Sequence, residues 1–352
     1  MHKVRHRAVP RRRALLGGVL VAALLAVAPG GAAIAQTPAQ TPAQPPSGGG
    51  GAADGARSGQ SSSLPSRVGV LTWNICGALK EDGDNSCPGS SSGKVDELVN
   101  RVKRNESTTV IMVQETCESL HSRPLETALN RETPGEWVVR HRTALRVGTD
   151  NPVVCPRSGK PEAGVAIAMK KLPGSDLVQD SEGKPGWDMT FPNTDEEETG
   201  TVHTQGAACL QDRGNRLLAC ASHFANANAD KTNLREASAR DFRDQARDWQ
   251  NGGYRTIIGG DLNLRPDDDA LQPLYEGNFE ADSDRKCTTT GPWYLNYPTC
   301  QNPRGSKLDY IFFSDYGWDL VRGHPYYWGS RDYSLGRLSD HWMLWSVVRP
   351  SS

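Results

Sequence analysis

Apolar and polar positions recur along this chain with two periods, and the period decides the element. Residues 68–74 alternate and are β-branched, which predicts a strand ending at Asn74. Val95, Leu98, Val99 and Val102 follow i, i+3, i+4, i+7, which predicts a helix capped by Ser91 or Ser92. Residues 108–114 read as an apolar strand that stops at Glu115, and 165–169 as another after Gly164. Residues 207–210 and 217–222 flank the turn signal Asp212-Arg213-Gly214-Asn215, so they read as a hairpin ending at His223. A second helix, capped by Thr232 or Asn233, carries Leu234, Ala237, Phe242, Ala246 and Trp249. Strands over 256–261, 308–313 and 342–348 complete the set, and no internal repeat is visible. Residues 173–200, rich in proline, glycine and acids, read as an exposed loop.

A strand that finishes with Gly259-Gly260-Asp261-Leu262-Asn263 presents a carboxylate and a carboxamide two residues apart. At period 2 the two side chains point the same way. Two hard oxygen ligands on one face suit a divalent cation and a phosphate, and the same residues also suit an ordinary turn. The wider pattern bears on that choice. Asn74, Glu115, His223, Asp261, Asn263, Asp309 and the pair Asp340-His341 each lie beside an apolar run. So many polar strand ends without a duplicated role point to a site assembled where strands finish.

Composition changes the picture at the N-terminus. Lys3, Arg5 and Arg11 to Arg13 precede an apolar stretch, 14–27, too short to span a bilayer, and Ala33-Ile34-Ala35 is a small-x-small cleavage signal. Residues 1–35 therefore read as a signal peptide, and Arg12-Arg13 within it as a twin-arginine signal. Residues 36–66 hold Ala, Gln, Pro, Gly and Ser with almost nothing to bury, so they read as a disordered linker. A catalytic domain over 67–350 remains, and the expected location is extracellular. Seven of the 40 bases and one of the 41 acids lie in residues 1–66, so the remainder carries a net charge of −7. Such a domain does not hold nucleic acid by bulk electrostatics. Metal-bridged binding of a phosphate stays open to it, because the metal's ligands are themselves acids. All 8 cysteines lie in this domain, which in an exported chain implies disulfides. Cys209 and Cys220 straddle the hairpin turn as a cross-strand pair does, and Cys287 and Cys300 close a short loop; Cys76–Cys87 and Cys117–Cys155 are the remaining expectation.

The stretches TWNICG (72–77), VQET (113–116), SHFANA (222–227), GGDLN (259–263), KLDYIF (307–312) and LSDHW (338–342) together resemble the motifs of the endonuclease/exonuclease/phosphatase superfamily, in the same order. The resemblance spans nearly all of residues 68–348. It implies a four-layered α/β sandwich, the deoxyribonuclease I-like fold, with two mixed sheets face to face, helices outside and the site at one end. It also implies metal-assisted hydrolysis of a phosphoester by water attacking in line. On that reading Glu115 and Asn74 hold the metal with Asp340 beside them. The ion is Mg²⁺ or Mn²⁺, with Ca²⁺ in a structural role. His341, oriented by Asp309, is the base or transition-state stabiliser, and His223 is the second catalytic histidine. Asp261 and Asn263 hold the attacking water and a phosphate oxygen.

Two departures narrow the branch. Cys76 stands where the abasic-site endonucleases carry an aspartate, and that branch also lacks the His223 motif. Cys117 stands where the pancreatic-type nucleases place a DNA-contacting arginine. Arg216, Arg235 and Arg240 are the candidate phosphate contacts instead, Arg216 foremost. The expected activity is a secreted, monomeric nuclease with nucleic acid as substrate and no stable protein partner. The runner-up is a sphingomyelinase-like enzyme at a lipid interface. Tyr326, Tyr327, Trp328 and Tyr333 before the last motif, and Trp293, Tyr294 and Tyr297 in the loop between Cys287 and Cys300, are its aromatic contacts. A phosphomonoesterase of the same fold and a binding module without activity are further alternatives. Loops 78–93, 141–163 and 173–206 are expected to shape the cleft.

Overall fold

In chain order the elements are β1 (Val68–Asn74), α1 (Ser91–Arg104), β2 (Thr108–Cys117), a π turn (Glu118–Ser122) leading into α2 (Arg123–Glu132), β3 (Trp137–Thr143), β4 (Leu145–Arg146) and β5 (Ala163–Lys170). There follow β6 (Trp187–Thr190), β7 (His203–Thr204), β8 (Gly206–Asp212), β9 (Leu217–His223), α3 (Leu234–Asn251) and β10 (Arg255–Asp261). A 3-10 turn (Asp269–Tyr275), β11 (Asn278–Glu280), β12 (Asp309–Ser314), β13 (Trp318–Pro325) and β14 (Leu344–Pro350) complete the list. This computed structural model describes residues 64–77, 89–146, 151–191, 203–204, 206–225, 234–282, 307–325, 338–339 and 341–351. The signal segment, nearly all of the linker, Thr232, Asn233, Asp340, Cys87, Cys287, Cys300 and the aromatic residues of 293–297 and 326–333 lie outside the described residues.

Two six-stranded mixed sheets, ordered β13-β14-β1-β2-β5-β3 and β11-β12-β10-β9-β8-β6, form the body. Each has one parallel pair at its centre, β1 with β2 and β10 with β9. Val68, Val70, Val110, Met112 and Ile167 of the first sheet meet Ala219, Ala221, Ile257, Ile311 and Phe313 of the second in one shared core. The alternate residues Leu71, Trp73, Ile111 and Val113 face outward under Val95, Leu98, Leu125 and Leu129 of α1 and α2. Leu218, Ile258, Tyr310 and Phe312 pack in the same way under Phe242 and Ala246 of α3. Strands covered on both faces read as nearly continuous apolar runs, which is why so many were legible from sequence. The result is the expected four-layered α/β sandwich.

Several elements differ from the sequence expectation. Helix α1 is capped by Ser90, whose side chain accepts from the Gly93 amide at 3.1 Å, and not by Ser91 or Ser92. The segment read as an exposed loop contains β6, which pairs antiparallel with β8. Its residues alternate between half-buried and exposed, as an edge strand's do. Helix α2 was not expected; its apolar face is only Leu125, Ala128 and Leu129. The hairpin is as expected, with Cys209 directly opposite Cys220 and bonded to it, and Cys117 is bonded to Cys155. Cys76 is also disulfide-bonded.

Candidate active site

Three strand ends lie in one row in the second sheet. Asp261, the last residue of β10, is in register with His223 at the end of β9 and with Asp309 at the start of β12. Gly260 lets the strands close here, because a Cβ on it would lie 1.9 Å from the Ser222 carbonyl oxygen, and its φ is +135°. From the first sheet, Asn74 ends β1 in register with Gln114, one residue before Glu115.

The two rows meet at Asp261, which is 2% exposed. The Asn74 carboxamide donates to its Oδ2 at 3.0 Å. His223 Nε2 lies 3.6 Å and His341 Nε2 3.7 Å from the same oxygen. Asn74 also donates to Glu115 Oε1 at 3.0 Å, so carboxylates from both sheets converge on one amide. His341 Nδ1 is 2.8 Å from Asp309 Oδ2, the pairing expected from sequence. Burial pushes the Asp309 carboxyl up to about 6, against the downward pull of His341. With Nδ1 committed to Asp309, Nε2 is the ring atom that faces Asp261.

The backbone is strained where the site needs it. Cys76, Glu115 and Asn263 have φ of 50°, 55° and 51°. Left-handed backbone at non-glycine residues costs on the order of 1–3 kcal/mol each and clusters at functional sites. For Glu115 the conformation accompanies a break in the β2–β5 register between Val113 and Thr116, which turns its side chain out of the strand's alternation. Asn263 corrects the period-2 argument. It lies beyond the strand end in a turn, with its amide donating to Asp261 Oδ1 at 2.9 Å and its carboxamide to the Phe224 carbonyl at 3.0 Å. The turn reading and the site reading are both right there: the turn places Asn263 beside Asp261.

Arg216 is not brought to the site. It precedes β9 at the end opposite His223, roughly 20 Å away along a strand rising ~3.3 Å per residue, and its guanidinium lies against Gly253. Arg240 pairs with Glu236 on the exposed face of α3. Arg235 does reach the site, donating to the Asn263 carbonyl at 2.5 Å.

One supporting residue, Lys94, had no motif to announce it, and two, Trp73 and Ser339, lay inside motifs without being singled out. Lys94 is fully buried, and its Nζ donates to the carbonyls of Ile75 at 2.5 Å and Cys76 at 3.0 Å, which anchors the chain after Asn74. Its only sequence signal is a position four residues before Leu98, on the apolar face of α1. Ser339 Oγ donates to the Asn74 carbonyl at 2.6 Å and accepts from the His341 amide at 3.0 Å; Trp73 Nε1 donates to the His341 carbonyl at 3.1 Å. The Ser-Asp-His loop is thereby tied to β1.

Donor atoms of Asp261, Asp309 and His341 all lie within 4.8 Å of one another. Asp309 and His341 are bonded to each other, which leaves Asp261, Glu115 and the Asn74 carboxamide as an oxygen set that fits a hard divalent cation such as Mg²⁺ better than a soft one. A cation between the carboxylates calls for the Asn74 oxygen, which here accepts from the Cys76 amide at 2.9 Å.

Near Glu115 lie two histidines, His121 in the π turn and His141 in β3. His121 Nδ1 accepts from the Cys117 amide at 2.9 Å, and His141 Nδ1 lies 2.9 Å from Ser122 Oγ. Burial lowers His121 to about 3 and His141 to about 4. A histidine whose folded pKa lies below its unfolded value stabilises the fold above pH ~6.5, and the contribution is lost as pH falls toward the folded value. Between pH ~6.5 and about 4, stability is therefore expected to fall by about 1.4 kcal/mol per pH unit for each histidine. Denaturant midpoints of His141→Gln across that window should drop less steeply than those of the parent, and parallel curves would refute the assignment.

A family model described as the endonuclease/exonuclease/phosphatase family matches residues 71–341. The chain belongs to that family. Its members are hydrolases acting on phosphoester bonds and typically depend on a divalent metal. The catalytic domain of human Nocturnin, in a structure with bound sulfate anion, aligns with a TM-score of 0.55 at 15% identity, over 81% of this chain and 94% of that one. An endonuclease/exonuclease/phosphatase from Bacteroides vulgatus gives 0.52 at 16%, over 82% and 100%. TDP2 from C. elegans gives 0.50 at 18%, over 80% and 75%. At these identities the likeness is one of fold. No curated protein sequence matches the chain. Within the family's shared fold, the site just described lies at the end of the sandwich where β1, β2, β9 and β10 finish.

Proposed function

We propose that the protein is an exported, divalent-metal-dependent phosphodiesterase whose substrate is nucleic acid. The observation that carries this reading is the convergence of two imidazoles and one carboxamide on Asp261 Oδ2 beside a second carboxylate, Glu115. Separations of 3.6 and 3.7 Å are too long for direct hydrogen bonds and suit a water or phosphate oxygen held against Asp261 and either imidazole. The Cys117–Cys155 and Cys209–Cys220 bonds and the N-terminal signal pattern support export.

Glu115 and Asn74, with Asp340 as a further ligand, would hold the ion. Bound there, a divalent cation supplies Lewis-acid stabilisation of the charge that develops on the phosphate oxygens. The chain's own groups do the rest. Asp309 accepts the Nδ1 proton of His341 and fixes its ring, so that Nε2 is the nitrogen that takes a proton from, or donates to, the reacting oxygens. Asp261 orients the attacking water, His223 lies on its other side to protonate the leaving oxygen, and the Asn263 turn keeps Asp261 in place. Preorganisation of this kind supplies most of the rate gain in phosphoryl chemistry.

A paired assay tests the reading. Plasmid DNA and sphingomyelin vesicles are offered to the purified protein with Mg²⁺, with EDTA, and to His341→Ala. Nicking of DNA that EDTA and the substitution both abolish is the expected result. Release of phosphocholine without nicking would replace nucleic acid by lipid as the substrate, and silence on both would overturn the diesterase reading.

A further inference from the structure

Arg142, in β3, is a buried cation. It is 5% exposed, and among the described residues no carboxylate forms an ion pair with it. Its guanidinium makes two neutral contacts, to Thr190 Oγ1 at 3.1 Å and the Thr143 carbonyl at 3.3 Å, and its buried Nε has no hydrogen-bond partner. The acid that acts on it, Asp188, is bonded at 3.0 Å to Arg140, which also pairs with Asp180. Burial accordingly lowers the Arg142 pKa, with Asp188 opposing. An arginine placed for stability would normally bring its carboxylate with it, because an unpaired buried charge is expensive.

Its location relates it to the site. A Cβ on Gly206 would lie 2.4 Å from Arg142 Cζ and 2.6 Å from Nε, so the guanidinium occupies the space a side chain at 206 would fill. Gly206 is directly opposite His223 in the β8–β9 ladder. Opposed residues of an antiparallel pair project to one face of the sheet. The space at Gly206 that the Arg142 guanidinium fills and the His223 side chain therefore share a face, with the Cβ positions of 206 and 223 ~5 Å apart. On the first sheet, Thr143 is in register with Gly164, and Gly164 with Thr116, the neighbour of Glu115. Away from the site, Arg142 borders a groove of about 1130 Å³ that runs between the edges of β3 and β6 and is also lined by Arg140, Thr143, Asp188 and Thr190.

We propose that Arg142 is a second anion subsite, which takes the substrate phosphate adjoining the one gripped by His223 and His341. The inference rests on the phosphodiesterase reading and sharpens it. A guanidinium one strand away from the reacting phosphate selects substrates that carry phosphates on both sides of one sugar, as a nucleic acid strand does. A lipid diester with a single phosphate leaves the subsite unused.

The test is direct binding, which does not depend on turnover. Thymidine 3′,5′-bisphosphate, thymidine 3′-monophosphate and thymidine 5′-monophosphate are titrated calorimetrically, with Mg²⁺, into the full chain and into Arg142→Gln and Arg142→Lys. The bisphosphate is expected to bind the parent about 10- to 100-fold more tightly than either monophosphate, the range of a charge-assisted hydrogen bond. That advantage should vanish in Arg142→Gln and be partly kept in Arg142→Lys. No advantage in the parent, or one that survives in Arg142→Gln, overturns the proposal. Melting of the phosphate-free proteins separates the structural alternative: Arg142→Gln should melt at or above the parent, and a fall of several degrees would assign the residue to the fold. Plasmid nicking, recorded in parallel, reports on the hydrolase reading alone. If the binding advantage is present and nicking absent, the subsite stands and the nuclease assignment falls.

Discussion

Replacing His341 by alanine should lower phosphodiester turnover by about 10²- to 10⁴-fold, the range contributed by a positioned general acid or base, while the protein stays folded. Folding survives because of what happens to the partner. Asp309 is fully buried, and its carboxyl already lies near 6 with the imidazole 2.8 Å away. His341 is the leading influence holding that value down, so its loss lets the carboxyl rise further and favours its uncharged form. The sign is checkable. A carboxyl whose folded pKa lies above its unfolded one stabilises at low pH, and that contribution is lost as pH rises through the folded value. His341→Ala should therefore melt progressively lower as pH rises from about 4 and keep falling above about 6, where the parent levels off, and His341→Asn, which retains a donor for Asp309, should soften that trend without restoring turnover. Full turnover in either variant would remove His341 from the chemistry.

The second large effect concerns the ion. Glu115→Gln keeps the shape of the side chain and removes one negative charge from the place where carboxylates of both sheets meet on the Asn74 amide. Loss of a metal's charge stabilisation amounts to several kcal/mol, so turnover should fall on the order of 10³-fold or more. Binding energy gives a readout free of catalysis. A cation that binds only the folded state raises stability by about 2.7 kcal/mol at 100 times its dissociation constant. Mg²⁺ should raise the melting temperature of the EDTA-treated parent and have a much smaller effect on Glu115→Gln. Equal shifts in the two proteins would place the ion elsewhere.

Much of this molecule was readable from local pattern. The runs that became β1, β2, β5, β9, β10, β12 and β14 are apolar because each is covered on both faces or by a packed helix, and that burial is written residue by residue. The Cys209–Cys220 bond was legible for the same reason: a turn signal fixes register in a hairpin, and register fixes which cysteines oppose each other. Elements whose existence depends on a neighbour were not legible. β6 is a half-exposed edge segment that is a strand because β8 pairs with it, and α2 has a three-residue apolar face that matters only against α1 and the first sheet.

The site divides along the same line. Sequence by itself determined that Asn74, His223, Asp261 and Asp309 sit at the ends of apolar strands, because the boundary between a buried run and a polar residue is local; Glu115, expected at a strand end, lies inside β2, which runs on to Cys117 past a break in register. It also placed His341 just before the last strand, which begins at Leu344 and not at Trp342. Only the tertiary structure decided that Asp261 Oδ2 is the point on which Asn74, His223 and His341 converge, since Asn74 and Asp261 are 187 positions apart and meet only when the two sheets pack face to face. The same packing buried Lys94 against the carbonyls after Asn74 and brought Arg142 over Gly206. A side chain's type and period are properties of the chain, whereas its distance from another strand's end is a property of how two sheets stack.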